Sequence, residues 1–210
     1  MKNMTARKTA LAFMLLLVGC TLLAPQKDDA RFFVLIPMHG GAAQSPGSAT
    51  SQSLVIGLGP ITIPGYLNRP EVVTRMSDSE LKVSDTDRWG ERLDTNVAQV
   101  LAADLAAQLG TQQIVNYPWP FKTPIDYAVS VAFQRFERLA DGHVIIEAKW
   151  TIRNGKNARI IQTDATSVSG PSGPDNASAA QALSRGLAQV SRDIAKAIVT
   201  QNPKSEPAIS

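Results

Sequence analysis

YAVSVAFQRF (127–136), VIIEAKWTI (144–152) and RIIQTDATSV (159–168) are three consecutive runs rich in β-branched and aromatic residues, and their reading decides the fold. Apolar and polar residues alternate along them with the period of two expected of half-buried strands. Between them stand Asp141-Gly142 and Asn154-Gly155, dipeptides that tolerate the positive φ of tight hairpin turns. The order strand, turn, strand, turn, strand predicts a three-stranded antiparallel meander.

Downstream, Gly170 to Pro174 breaks the pattern. Ser178 with Gln181 three places on then forms a capping-box pattern, and Leu183, Leu187, Val190, Ile194 and Ile198 make one apolar stripe of a helix. Upstream, a second stripe of Val97, Val100, Leu101, Leu105 and Leu109 predicts another helix, with Asp94 as its cap and Gly110 as its stop. Before that helix come apolar runs at 32–36, 54–63, 72–76 and 81–84. Ser77-Asp78-Ser79 between the last two is a turn signal, so they are expected to pair as a hairpin. Strands grouped around two helices, without regular βαβ alternation, predict an α+β domain: a mostly antiparallel sheet with two amphipathic helices packed on one face.

The N-terminus reads differently. Lys2, Arg7 and Lys8 precede an apolar run from Ala10 to Val18, followed by Leu17-Val18-Gly19-Cys20. The run is shorter than the roughly 20 residues a membrane-crossing helix needs, so it reads as a cleavable secretion leader. The only cysteine follows a small residue at the expected cut and reads as a lipidation site, carrying covalent diacylglycerol and an N-acyl chain. One acyl chain binds a membrane only marginally, whereas three on Cys20 anchor it stably. Thr21 stands where an Asp would favour inner-membrane retention, so the outer membrane, periplasmic face, is the expected location.

Residues 1–19 are thus expected to be a cleaved signal peptide, 20–30 a lipidated tether, 31–200 one α+β domain and 201–210 a disordered tail. Gly40 to Ser53, rich in Gly, Ser, Ala and Pro, is expected to be a mobile loop. Removing 1–19 takes away three of the 21 basic residues and no acid, leaving 18 against 18 and a net charge of zero. A nucleic-acid partner is not expected of a chain with no basic cluster. With its cysteine lipidated, the domain has no thiol for disulfides or metal sites.

Catalytic motifs are absent from the sequence. His39 precedes the loop and His143 follows a turn, neither beside a recognisable nucleophile. Gly57 and Gly59 in GLGP lack the rest of a phosphate-binding motif and are expected to let a strand bend. Asp85, Asp87, Glu91 and Asp94 do not follow the order of a calcium loop. No catalytic residue, metal or free cofactor is expected.

One stretch is more specific: GPITIPGYLNRPEVVTRMSDSELKVSDTDRWGERLDTNVAQVLAADLAAQL, 59–109. Its Gly-Pro strand, the turn with Pro64, Tyr66, Leu67, Arg69 and Pro70, the strand with Val73, Thr74 and Arg75, and Arg88-Trp89 before a helix resemble the PqiC family of ABC-type transport auxiliary lipoproteins. Arg92 departs from the pattern, standing where that family usually has Pro. The resemblance implies a non-enzymatic homo-oligomeric lipoprotein, working beside an MCE-domain protein in lipid traffic between membranes and in envelope integrity.

Read from the residues, Tyr66 and Leu67 close the core, and Arg69, Arg75 and Arg88 are either solvated or paired with Asp78, Asp85 and Asp87. Trp89 is expected to anchor the core beneath its helix. The functional alternative is that Tyr66, Arg69, Arg75 and Arg88 form a partner-binding edge. An independent periplasmic lipid carrier and an envelope hydrolase remain the competing function classes.

Overall fold

The computed structural model describes residues 29–38 and 54–201. The leader, Cys20, His39, the 40–53 segment and the tail beyond 201 lie outside the described residues. The body begins at Arg31 and runs β1 (Arg31–Phe33), β2 (Ile56–Thr62), a 3-10 turn (Gly65–Leu67), β3 (Glu71–Arg75), β4 (Leu81–Trp89), α1 (Leu93–Leu109), β5 (Ile114–Asn116), β6 (Tyr127–Leu139), β7 (His143–Asn154), β8 (Ile160–Pro171) and α2 (Asn176–Gln201).

The meander forms as the alternation requires: β6 pairs antiparallel with β7, and β7 with β8. Gly142 takes φ +81° in its turn. In the second turn the left-handed residue is Ala158, at φ +57°, and Gly155 serves another purpose. A Cβ on Gly155 would lie 1.9 Å from the Ile125 carbonyl oxygen, so the absent side chain makes room for another segment.

The expectation of a mostly antiparallel sheet is overturned. All eight strands form one mixed sheet. The pairs β1–β4, β2–β5, β2–β6 and β3–β6 are parallel, while β3–β4, β6–β7 and β7–β8 are antiparallel. The physical reason is the length of β6. Its first half accepts β2 along one edge (Ile56 opposite Tyr127) and the far end of the same edge accepts β3 (Arg75 opposite Leu139). Residues 63–70 leave the sheet between those two contacts. Hairpin signals report only pairings between neighbours in sequence, and these parallel pairings cross more than sixty residues.

α1 and α2 pack against each other; α1 lies against β2 and β5, α2 against β7, β8 and β6. Their shared core holds Ile56, Leu58, Val97, Leu101 and Leu105 with Phe136, Ile146, Trp150, Leu187 and Ile194. Burying each such side chain contributes about 1.5–3 kcal/mol. α1 starts at Leu93, with Arg92 at the cap and Asp94 in the first turn, favourably placed for the helix dipole, and stops at Gly110 in the left-handed conformation. Arg92 has φ −54°, a value proline itself adopts, so the backbone here suits either residue. α2 begins two residues before Ser178: Asp175 Oδ1 accepts from the Ser178 N–H at 2.8 Å, making Asp175 the capping side chain. Neither helix is long and apolar enough to cross a membrane.

After β1 the chain is fastened to both helices. Leu35 N–H donates to Asn96 Oδ1 at 2.7 Å, Asn96 Nδ2 donates back to the Leu35 carbonyl at 3.2 Å, and Ile36 N–H donates to Ser184 Oγ at 3.1 Å. These bonds explain the burial of Asn96 on α1 and Ser184 on α2 among otherwise apolar neighbours.

Candidate functional site

Phe136 and Ile146 are register partners in the core, and Ile146 abuts Gly186 of α2. Alternation therefore puts Glu137 on the opposite face of the sheet. There the 63–70 excursion covers it, leaving only 2 % of the residue exposed. Three side chains satisfy its carboxylate. Arg75 donates from Nε to Oε2 and from Nη2 to Oε1, both at 2.6 Å. Arg135 donates from Nε and Nη2 to Oε2 at 3.2 and 3.1 Å, and the Tyr66 hydroxyl donates to Oε1. Arg75 lies 5.5 Å above the Tyr66 ring centre and sends Nη1 to the Asp78 carbonyl at 3.1 Å, tying in the β3–β4 turn.

Burial pushes the Glu137 carboxyl up, but the bonds from Arg75, Tyr66 and Arg135 outweigh it and hold its pKa below the ordinary value. Tyr66 is raised, by burial first and then by its bond to Glu137, and Arg75 is raised by Glu137. The cluster is a fixed carboxylate with no open coordination side. Its chemistry is that of a latch, holding the turn in one shape over the sheet.

The four residues singled out in the sequence divide into two pairs. Tyr66 and Arg75 meet at Glu137. Arg69, 44 % exposed at its side chain, bonds Glu71 at 2.8 Å, and Arg88 is the register partner of the same Glu71. The acidic partners of Arg75 and Arg69 are therefore Glu137 and Glu71, not Asp78, Asp85 or Asp87. Asp87 is bound by Arg31 through Nε and Nη2 at 2.8 and 2.9 Å and by Asn176 Nδ2 at 2.6 Å. β3 pairs along its length with β4 and at Thr74 and Arg75 with β6, and Arg69 in the turn before it is exposed. Trp89 packs partly buried against the core, and its N–H donates to the Pro70 carbonyl at 2.7 Å, closing the turn from the other end.

Glu137 was hidden in the sequence. In YAVSVAFQRFE strict alternation aligns Glu137 with Val129, Val131 and Phe133, but a bulge between Phe133 and Arg135 reverses the phase. The signal that could have found it is Arg135, two places before Glu137 on the same strand, which with Arg75 calls for a carboxylate between them.

A second feature escaped the sequence reading: the loop YPWPFKTPI, 117–125, between β5 and β6. It lies against the GLGP strand, where a Cβ on Gly57 would come within 2.7 Å of Ile125 and one on Gly59 within 2.6 Å of Tyr117. These glycines admit the loop. A cleft of about 470 Å³ opens between Pro60, Tyr117, Trp119, Ile125, Arg153 and Gly155.

Comparison with known proteins places this architecture. Residues 34–195 match the family described as the ABC-type transport auxiliary lipoprotein component. The intermembrane transport lipoprotein PqiC of Escherichia coli K12 is 24 % identical over 138 residues, covering 66 % of this chain and 69 % of the relative. The Shigella flexneri protein of the same description matches equally. Among solved structures, a Xanthomonas campestris protein superposes with TM-score 0.64 at 16 % identity, covering 84 % of this chain and 100 % of the other. A further crystal structure, of an uncharacterized protein, gives TM-score 0.64 at 21 % identity, covering 80 % and 98 %. The family is one of transport auxiliaries, not of enzymes, and its members belong to the cell envelope as lipoproteins. The chain with the latched turn and the eight-stranded mixed sheet belongs to the family of ABC-type transport auxiliary lipoprotein components.

Proposed function

We propose that this protein is the membrane-anchored, non-enzymatic subunit of an intermembrane lipid transport system. It is lipidated at Cys20 and held at the periplasmic face of the outer membrane. It works as a homo-oligomer beside an MCE-domain protein and contributes to envelope integrity. The observation that carries this reading is the match to an intermembrane transport lipoprotein across two thirds of the chain. The geometry agrees with it, because the turn of the sequence signature is rigidly held. Tyr66 and Arg75 spend their polar atoms on Glu137, which fixes Arg69 and the Glu71–Arg88 side of the turn for a partner to read. Preorganising a contact surface lowers the ordering cost of binding.

The test is recovery of full-length protein from crosslinked envelopes, with mass spectrometry of its protein partners, its lipids and its N-terminal modification. Recovery of an MCE-domain protein, lost on reversing Arg69 to Glu with the fold intact, is the expected result. Phospholipid without a protein partner would instead assign the protein as an independent carrier, and an unmodified Cys20 would remove the anchor.

A further inference from the structure

The loop at 117–125 and the β7–β8 turn form one end of the body. Phe121 stands 93 % exposed at the loop's tip, with Tyr117 at 56 % and Ile160 at 53 % beside the cleft. Such exposure is costly for large apolar side chains unless something covers them. The same end carries Lys122, whose Nζ lies 5.8 Å from the Phe121 ring centre, and Arg153, Lys156 and Arg159. None of these four cations has a carboxylate partner among the described residues. Neither segment contains an acid, and Asp126, directly after the loop, accepts from the Val55 N–H at 3.0 Å. Elsewhere on the body Arg31, Arg69, Arg75, Arg92 and Arg135 are paired with acids. Lys82, Lys149, Arg185 and Lys196 form no salt bridge among the described residues, so it is the grouping of four such cations around exposed aromatics that marks this end.

Position adds a second constraint. Arg31, where the body begins, shares Asp87 with Asn176 at the start of α2. Tyr127, just after the loop, donates to the Gln201 carbonyl at the last residue of α2. A 26-residue helix is about 39 Å long, so the aromatic end lies far from the point where the chain enters the body.

We propose that this end is a docking surface for an anionic lipid bilayer other than the one holding the anchor. Phe121, Tyr117 and Ile160 enter the boundary between headgroups and acyl chains, and Lys122, Arg153, Lys156 and Arg159 engage the phosphates. Aromatic rings flanked by basic residues suit that boundary, whose polar layer accepts the charges and whose apolar layer accepts the rings. Four unpaired cations around exposed aromatics complement an anionic lipid surface. The proposal rests on the Cys20 anchor but not on which molecule is transported.

The experiment uses full-length lipidated protein reconstituted in neutral phosphatidylcholine vesicles. Protein that fails to float with these vesicles would show failure of the anchor, independently of the aromatic end. A second population is added, made either of brominated phosphatidylglycerol or of brominated phosphatidylcholine, and quenching of Trp119 emission is measured after subtracting the Trp119→Phe variant. Quenching by the anionic vesicles at lower lipid concentration than by the neutral ones, weakened by salt, is expected. Phe121→Ser should raise the lipid needed for half-maximal quenching about tenfold, and Lys122→Ser about fivefold. Circular dichroism of both variants checks that the fold is kept. The proposal is overturned if the anionic vesicles quench no better than the neutral ones, or if both variants quench like the parent. Clustering of the protein-bearing vesicles without any added lipid, abolished by Phe121→Ser, would assign the surface to a second copy of the chain and also overturn it.

Discussion

Two turns rich in proline and aromatic residues flank β2, and they use that composition in opposite ways. PGYLNRP, 64–70, turns its tyrosine down onto Glu137 and is closed by Trp89 N–H on Pro70. YPWPFKTP, 117–124, turns Phe121 outward and rests on glycines. The difference lies in what each turn lies on. A buried carboxylate must be paired or it destabilises the fold by several kcal/mol, so every group that reaches Glu137 is held in place. Glycine offers room without a bond, so beyond the Tyr117 N–H on the Leu58 carbonyl at 2.8 Å the second loop is seated by shape, and its tip stays exposed. Aromatic content alone therefore does not separate a structural turn from a contact surface; the chemistry beneath it does.

The contrast breaks most sharply at Glu137. Glu137→Gln leaves Arg75 without a counter-charge and Arg135 with only Glu147 at 3.7 Å, and is expected to lower stability by about 3–5 kcal/mol, measured by urea unfolding of the full chain. The parent's acid sensitivity has the same origin. The folded Glu137 and Asp87 carboxyls both sit below their ordinary values, so their contributions are fully present above the unfolded pKa and are lost as pH falls through the folded one. Stability should thus decline below the ordinary carboxylate range, and Glu137→Gln should flatten that decline; an unchanged acid profile would show that other carboxylates dominate.

Gly155→Ala attacks the other turn. Its new Cβ meets the Ile125 backbone, which must shift, at a cost of about 1–3 kcal/mol. The strain should appear as changed Trp119 emission with the Glu137 cluster intact. Tyr66→Phe removes one hydrogen bond to a charged group and should cost about 1.5 kcal/mol, less than Glu137→Gln because both arginines remain. Phe121→Ser should leave the unfolding midpoint unchanged within about 0.5 kcal/mol, since the ring is already in water. A large loss there would mean that the tip packs inward after all.

How much of the molecule was legible depends on the range of each signal. The meander, the 77–79 hairpin turn, both apolar stripes and the Gly110 stop are written in spacings of two to seven residues, and each formed as read. The parallel pairings of β2 and β3 onto β6 are not written locally, because nothing in 56–75 marks a partner more than sixty residues away. At the site, the turn residues could be picked out in the sequence, but their partner could not: Tyr66 and Arg75 were visible, while Glu137 was concealed by a bulge that flips its strand's phase. The 117–125 loop passed unread because its prolines and aromatics have no periodicity, and its seat depends on two glycines sixty residues upstream.

The fastening behind β1 has a mechanical consequence. A pull on the chain at Arg31, directed along β1, does not meet a strand that peels from an edge one bond at a time. It meets the parallel β1–β4 pairs, the two-bond grip of Arg31 on Asp87, and the Leu35 and Ile36 clips to α1 and α2, all loaded together. Force entering by that route is shared between the sheet and both helices, which makes the first residues of the body a shear joint through which the domain responds as a unit.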